Sequence, residues 1–127
     1  MLSSEFLAAL VRIAGAAHVR RDPEALDVYG HDALNRGHAP DVVVLPATTD
    51  EVAAVVRLCA AHGVPIVPRG AGTGYTGGSV PSHGGVVLSL ERLDRILAID
   101  EENLLAVVQP NVVTGVLQEA VERVGLF

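Results

Sequence analysis

Glycine dominates residues 64–80, VPIVPRGAGTGYTGGSV, and no other stretch limits the possible folds of this chain as strongly. Holding many glycines in one conformation costs conformational entropy, so such a loop must be stabilised by specific contacts or by a ligand. Apolar runs flank it at residues 66–67 and 86–90, which places the loop between two predicted strands. Successive backbone N–H groups in such a loop can form an anion-binding concavity. The stretch therefore predicts a phosphate or pyrophosphate loop.

Spacing and context exclude three familiar motifs. Residues 72–77 match G-x-G-x-x-G, but that fingerprint must open a helix. Here Pro81 and the glycines at 84 and 85 follow too soon for a helix to propagate. A Walker A loop requires a lysine, and the chain has none. The hydrolase elbow G-x-S-x-G would need glycine where Pro81 stands. What remains is a loop that binds phosphate through its own amides and returns directly to a strand.

Residues 68–81, PRGAGTGYTGGSVP, resemble the pyrophosphate loop of the FAD-linked oxidases of the vanillyl-alcohol oxidase type, whose FAD-binding domain is called PCMH-type. The resemblance is closest to the branch with the flavin subunit of glycolate oxidase and the D-lactate dehydrogenases. Flanking motifs agree, with VVLP and TDEV upstream and VVQP downstream. The resemblance covers roughly residues 41–127 and, more loosely, residues 29–32.

The resemblance implies FAD as cofactor. The amides of residues 70–74 are the expected pyrophosphate donors, and Thr73 and Ser79 are expected to add hydroxyl donors. Arg69 either offsets the diphosphate charge or is an ordinary solvated arginine. Thr73 stands about where some relatives carry the histidine that bonds covalently to the flavin, so non-covalent FAD is expected.

One further cofactor residue is implied downstream of the loop. Pro110 lies where the family usually has Pro-Gly, near the adenine side of the cofactor, and Asn111 here replaces that glycine. Asparagine tolerates left-handed backbone, so the turn can persist. The expected cofactor-binding residues are Pro68, Arg69, Gly70, Ala71, Gly72, Thr73, Gly74, Tyr75, Gly77, Gly78, Ser79 and Pro110.

Apolar periodicity around the loop predicts an α/β (α+β) fold. Residues 42–45 read as a strand, a capping box from Thr48 to Glu51 begins a helix that ends at Gly63, and residues 66–67 read as the next strand. A strand–helix–strand unit of this length implies parallel strands. Flanking helices are predicted near the start of the chain, at residues 22–28 and at residues 113–124.

The remaining pattern indicates a second, antiparallel sheet. Residues 95–99 and 104–109 read as two strands joined by a turn at 100–103. The predicted division is an N-terminal helical segment and loop at 1–40, followed at 41–127 by the N-terminal part of an FAD-binding domain. By resemblance, the second half of that domain and a substrate domain lie outside these residues, so the chain is expected to be a fragment.

Composition narrows the partners. The net charge of −6 argues against nucleic acid and anionic membrane surfaces, and the single cysteine, Cys59, is expected to be an inert core thiol. The five histidines lack a metal-ligand spacing, so no metal is expected. The pair His31-Asp32 is predicted to lie in a surface turn, with a place near the cofactor as the alternative. No signal peptide or membrane span is recognised, and a cytoplasmic location is expected.

The leading functional hypothesis follows from the resemblance. It is a flavin-dependent oxidoreductase that oxidises a small-molecule 2-hydroxy acid, of the glycolate or D-lactate type, by hydride transfer to flavin and then reduces an electron acceptor, with partner subunits possible. The catalytic residues are unknown and are expected in the absent C-terminal region. Two alternatives stay open: the same FAD fold acting on an alcohol, aldonolactone or cell-wall precursor, or a catalytically inactive nucleotide-binding fragment.

Overall fold

A computed structural model describes residues 2–127, and in these residues four α-helices flank or follow two β-sheets. The helices and strands, in chain order, are α1 Ser4–Ala14, β1 Val19–Arg20, α2 Pro23–Gly30, β2 Val42–Val44, α3 Thr49–His62, β3 Ile66–Arg69, β4 Val86–Ser89, β5 Ile96–Asp100, β6 Leu105–Val108 and α4 Thr114–Glu122. The expected α/β class with a second, antiparallel sheet is confirmed.

The central helix, α3, begins and ends where local sequence predicts. The Thr48 Oγ1 accepts a hydrogen bond from the Glu51 N–H at 3.1 Å. The Glu51 carboxylate accepts in turn from the Ala47 N–H at 2.7 Å, one residue earlier than in a standard capping box. Gly63 ends the helix in the left-handed conformation, with φ 63°. Both ends of α3 are therefore set by short-range hydrogen bonds.

The first sheet has the strand order β1-β2-β4-β3. Strands β2 and β3 are parallel, as the strand–helix–strand pattern predicts, but they are not neighbours, because β4 lies between them and pairs in parallel with both. The short antiparallel strand β1 was not predicted, since two residues carry no readable periodicity. The parallel strands β2, β3 and β4 all end at the same edge of the sheet, so the loops that follow them lie together there.

The hydrophobic core covers both faces of this sheet. On one face, Phe6 and Leu10 of α1 and Val55 and Cys59 of α3 pack against alternate residues of β2 and β4. On the other face, Tyr29 and Leu26 of α2 pack against Val43, Leu45 and Val87. Strands buried on both faces read as continuous apolar runs, as residues 42–45 do.

Two side chains of α3, Cys59 and His62, pack against the core. Cys59 is 1% exposed, and burial raises the pKa of its thiol, as expected for an inert core residue. His62 is the basic residue in the last turn of α3, where it favours the helix dipole. Its ring also packs edge-on against Phe6, with 5.3 Å between the ring centres, and so joins α3 to α1.

The second sheet consists of β5 and β6, paired antiparallel around a turn at residues 101–104. Helix α4 follows and is shorter than the predicted residues 113–124. Many apolar side chains of this region are exposed, namely Leu97, Leu104, Leu105, Val107, Val113, Val116, Val124 and Phe127. Helix α4 has no fully buried residue, in contrast to α1 and α3.

Candidate functional site

The glycine loop leaves the C-terminal end of β3 at Gly70 and returns to β4 at Val86. Its first residues are tied to the sheet, because the Leu90 N–H donates to the Arg69 carbonyl oxygen at 2.8 Å. Farther along, the Val80 N–H donates to the Gly77 carbonyl oxygen at 3.0 Å and closes a turn. The loop therefore lies at the edge of the parallel sheet where ligands bind in open α/β folds.

The backbone N–H groups of residues 70–79 are the most distinctive feature of this loop. Within residues 2–127, none of these ten groups donates a hydrogen bond to another protein atom. At Gly74, Gly77 and Gly78 an added Cβ would meet no atom within 4 Å, so there is open space beside the loop. Such a run of unused donors next to open space is suited to an anion.

The Arg69 side chain contacts backbone carbonyl oxygens of the protein, which neither of the two alternatives from the sequence included. Its Nη1 donates to the His31 carbonyl oxygen at 2.6 Å and its Nη2 to the Val28 carbonyl oxygen at 3.4 Å. The guanidinium also lies over the Tyr29 ring, 5.8 Å from the ring centre. Burial lowers the pKa of Arg69, and nearby Tyr29, Asp32 and Glu91 oppose that shift. The side chain is thus committed to the end of α2, and it is not a freely solvated arginine.

Asp32 is buried, at 7% exposure, so the predicted surface turn is wrong for this residue. Its Oδ1 accepts from the Leu34 N–H at 2.9 Å and the Arg36 N–H at 3.0 Å, while its Oδ2 has no partner among the described residues. The next residue, Ala33, donates its N–H to the Gly74 carbonyl oxygen at 3.3 Å. The 31–37 segment therefore contacts the glycine loop directly.

Tyr29 extends the same contacts to the end of β4. Its hydroxyl donates to the Glu91 carboxylate at 2.7 Å, and the Ser89 hydroxyl donates to the same carboxylate oxygen at 3.1 Å. Burial, together with the hydrogen bond and negative charge of Glu91, raises the pKa of Tyr29 to about 12. Because the pKa is raised on folding, the neutral phenol stabilises the fold fully below pH 10, and this contribution is lost as pH rises from 10 toward about 12.

We expect the ionisation of Tyr29 to show this shift directly. The chain has two tyrosines, so a Tyr75→Phe variant leaves Tyr29 as the only phenol. Ultraviolet absorbance titration should give a midpoint well above 10, near 12, while circular dichroism reports that the chain is folded. Adding Glu91→Gln should lower the midpoint but keep it above 10, because burial is the largest cause of the shift. A midpoint of 10 in the Tyr75→Phe chain would contradict the contact with Glu91.

The other predicted cofactor residues are spread along the loop. Ala71 and Thr73 are exposed, and Tyr75 is 67% exposed. Pro68 lies within β3, opposite Leu88 of β4. The Ser79 Oγ is buried and has no hydrogen-bond partner in the described residues, so its hydroxyl remains an unused donor at the end of the loop.

Pro110 is brought near the loop by its neighbour. A Cβ added at Gly70 would lie 3.1 Å from the Asn111 Oδ1, so Asn111, which stands where the family usually has glycine, borders the start of the loop. Pro110 itself lines a cavity of about 220 Å³ beside the ends of β2 and β4, together with Thr49, Val52, Leu90, Leu93 and Gln109.

The donor set fits the diphosphate of FAD. The loop offers neutral N–H groups, hydroxyl groups that include those of Thr73 and Ser79, and no carboxylate within residues 70–79. A diphosphate is an acceptor-only group with formal negative charge, which such donors bind by charge-assisted hydrogen bonds. Elsewhere in residues 2–127, no three His, Cys, Asp or Glu side chains are grouped closely enough to hold a metal ion.

Comparison with known proteins identifies the family of this chain. An α/β domain whose sheet edge carries a glycine loop with free backbone N–H groups has the features of a domain that binds a nucleotide cofactor. Residues 40–127 match the FAD binding domain family. The chain belongs to this family, and its cofactor is FAD.

Several relatives in this family have names that indicate 2-hydroxy acids. The chain is 41% identical over its whole length to the glycolate oxidase subunit GlcD of Bacillus subtilis, of which it covers 27%. It is 42% identical over 69% of its length to a D-lactate dehydrogenase of Anaerostipes hadrus, of which it covers 18%. It is 38% identical over 86% of its length to a D-2-hydroxyglutarate dehydrogenase of Stutzerimonas stutzeri, of which it covers 24%. The chain thus spans about a quarter of these relatives.

Solved structures share the fold. The 4-ethylphenol oxidase from Gulosibacter chungangensis superposes with a TM-score of 0.81 at 30% identity, over 98% of this chain and 26% of that one. An alkyldihydroxyacetonephosphate synthase superposes with a TM-score of 0.84 at 22% identity, over 98% of this chain and 26% of that one, which shows the fold alone. No helix in residues 2–127 combines the length and apolar character needed to cross a membrane.

Sequence reasoning did not identify the contacts of Tyr29 and Glu91, and it gave a place near the cofactor for Asp32 only as an alternative to a surface turn. Tyr29 and Glu91 meet across 62 positions of sequence, whereas Asp32 acts locally, on the 31–37 segment that contacts the loop through Ala33. The sequence signal for Tyr29 and Asp32 was the loose resemblance around residues 29–32. That signal marked the right segment without showing what its side chains contact.

Proposed function

We propose that the backbone amides of residues 70–79 bind the diphosphate of FAD non-covalently, in a flavin-dependent oxidoreductase that acts on a 2-hydroxy acid. The observation that carries the proposal is the run of ten N–H groups without a protein acceptor, placed at the ligand-binding edge of a parallel sheet. When bound, FAD supplies the group that accepts the hydride, with its two electrons, from the substrate. The chain's own part is to bind and orient the cofactor.

The loop can bind a diphosphate although residues 70–79 carry no formal positive charge. Hydrogen bonds to an ionised acceptor are about twice as strong as neutral ones, and several amides can share the two phosphates. Gly74, Gly77 and Gly78 let the ligand approach the backbone closely, because no side chain projects from them and nothing else fills that space. Thr73 lacks the imidazole ring through which a histidine at about this position bonds to the flavin in some relatives. Its presence supports non-covalent binding of FAD.

The substrate class rests on the relatives. Glycolate, D-lactate and D-2-hydroxyglutarate share a hydroxyl group next to a carboxylate, and these three acids appear in the names of similar proteins. We assign no residue of this chain to the substrate. The electron acceptor and any partner subunits belong to the same proposal. Bleaching of the flavin in the intact protein by an alcohol or aldonolactone, but by neither glycolate nor D-lactate, would contradict the 2-hydroxy acid.

The proposal also assigns roles to the two parts of the chain. Residues 41–127 form the N-terminal part of the FAD-binding domain, and residues 1–40 form a preceding helical segment. In support, α1 and α2 of that segment pack on opposite faces of the sheet whose edge carries the loop. The segment thereby buries the strands from which the loop projects.

We expect Gly74→Val to remove cofactor binding and leave the fold intact. A Cβ added at Gly74 meets no atom within 4 Å, and the φ angle of Gly74 is not positive. The substitution therefore brings neither a clash at Cβ nor backbone strain. The valine would instead occupy the space proposed for the diphosphate. Loss of one or two hydrogen bonds to a charged group weakens binding by about 10- to 100-fold or more. The measurement is titration of the chain with FAD, followed by flavin fluorescence.

Gly115→Val is the matched control, because an added Cβ there, in α4, also meets nothing within 4 Å. It should bind FAD like the unchanged chain. ADP should compete with FAD, because it carries the same diphosphate. Absence of saturable binding by the folded chain, or equal affinity of the Gly74→Val and Gly115→Val variants, would refute the loop assignment.

A further inference from the structure

We propose that Arg69 is a positioning residue: its guanidinium fastens the glycine loop to the C-terminal end of α2 and holds the loop in its binding conformation. This inference rests on the proposed function of the loop. It replaces the phosphate contact that the sequence suggested for Arg69 with a contact to the protein's own backbone.

The first support is the pair of carbonyl groups that Arg69 contacts. The last carbonyls of a helix have no partner within the helix, and a cation near them is favourable. Val28 lies in the last turn of α2, and His31 is its C-cap residue. The carbonyl oxygen of each accepts a hydrogen bond from the Arg69 guanidinium. The planar, forked guanidinium is shaped to reach two acceptors at once. Arg69 therefore closes the end of α2 from 38 and 41 residues away.

The second support is a further link between the same two segments. The Ala33 N–H donates to the Gly74 carbonyl oxygen at 3.3 Å, only five positions beyond Arg69. Asp32 stabilises the 31–37 segment through its Oδ1, which accepts from the Leu34 and Arg36 N–H groups. The stretch from Arg69 to Gly74 is thus attached at both ends to the end of α2 and the 31–37 segment that follows it.

The third support is the place of Gly72 between those attachments. A Cβ at Gly72 would overlap the Arg69 guanidinium, so the side chain of Arg69 passes directly beneath this residue. Gly72 has φ +72°, which a residue with a side chain adopts only with strain. The glycine therefore lets the loop cross over Arg69, and the arginine in turn supports the backbone whose amides face the ligand.

Hydrogen exchange of the chain without any nucleotide tests the fastening. In Arg69→Met, the amides of residues 32–36 should exchange about 10- to 100-fold faster, the range expected when hydrogen bonds from a charged donor are lost. The amides of α3 should be unchanged, which separates local release from general destabilisation. Arg69→Lys should resemble Arg69→Met, because an ammonium group cannot reproduce the fork. Unchanged exchange at residues 32–36 in Arg69→Met would overturn the proposal.

Arg57→Met is the matched control. Arg57 is exposed on α3 and makes no hydrogen bond or ion pair in residues 2–127, so its replacement removes the same charge without the contacts. Exchange at residues 32–36 should stay as in the unchanged chain. An equal increase in Arg57→Met and Arg69→Met would assign the effect to net charge and would refute the positioning role.

FAD titration at several salt concentrations separates positioning from a direct phosphate contact. Positioning predicts weaker binding in both Arg69→Met and Arg69→Lys, with the salt dependence of the unchanged chain. A direct ion pair predicts restored binding in Arg69→Lys and a smaller salt dependence in Arg69→Met, since salt screens charge–charge attraction. That second pattern would overturn the inference. Failure of the unchanged chain to bind FAD would refute the proposed function, while the exchange experiment would still decide the role of Arg69.

Discussion

Gly85→Ala is expected to destabilise the chain by at least about 4 kcal/mol, which is exceptional for a single substitution. Gly85 has φ +78°, and an added Cβ would overlap the Pro65 carbonyl oxygen. That oxygen cannot move freely, because it accepts the Val86 N–H at 2.8 Å at the start of the β3–β4 pairing. Gly85 also accepts from the Asp41 N–H at 2.8 Å and donates its own N–H to the Asp41 carboxylate at 2.7 Å. Relief of the overlap would therefore disturb the start of the β3–β4 pairing and of the neighbouring β2–β4 pairing.

Gly63→Ala separates the overlap from backbone strain. Gly63 also has a positive φ, +63°, but an added Cβ there meets nothing within 4 Å. Its replacement should cost only the strain of a left-handed residue, about 1–2 kcal/mol. Urea unfolding followed by circular dichroism measures both variants. Equal losses of stability in Gly63→Ala and Gly85→Ala would show that the Pro65 carbonyl does not confine Gly85.

Leu10→Ala has the second largest expected effect, a loss of about 2–5 kcal/mol in the free energy of unfolding. Leu10 is 0% exposed and belongs to the cluster in which α1 packs on α3 and on the sheet. Truncation to alanine removes buried apolar surface and leaves a cavity, which the surrounding side chains fill only in part. The loss should appear as a lower urea midpoint with an unchanged slope.

Leu105→Ala is the matched control, because it is the same substitution at a side chain that is 60% exposed. Its effect should stay within about 0.5 kcal/mol, as for most surface substitutions. A loss in Leu105→Ala as large as in Leu10→Ala would mean that the exposed face of β5 and β6 is covered in solution. That result would contradict the exposure of the second sheet described here.

Features that depend on neighbouring residues could be predicted from the sequence. The limits of α3 follow from Thr48, Glu51 and Gly63, whose hydrogen bonds and backbone conformation are local. The apolar run at residues 42–45 indicates a buried strand because a parallel strand is covered on both faces. The glycine loop and its likeness to FAD-linked oxidases were also readable, since such a loop needs particular residues at fixed spacing.

Features that depend on which distant segments meet could not be predicted. The insertion of β4 between β2 and β3 is a choice among pairings that the local pattern allows equally, and the packing of the whole sheet decides it. Strand β1 exists only because Val19 and Arg20 pair with β2.

Arg69 shows the difference within one site. By itself, the sequence determined that a glycine loop of the kind found in FAD-linked oxidases follows a strand, because the required residues are contiguous. Only the tertiary structure decided that the arginine beside those glycines contacts the carbonyl oxygens of Val28 and His31, which lie about 40 positions earlier in the chain. The reason is physical: a hydrogen-bonding side chain takes the partners that folding brings within about 3 Å, and sequence neighbours do not specify these partners.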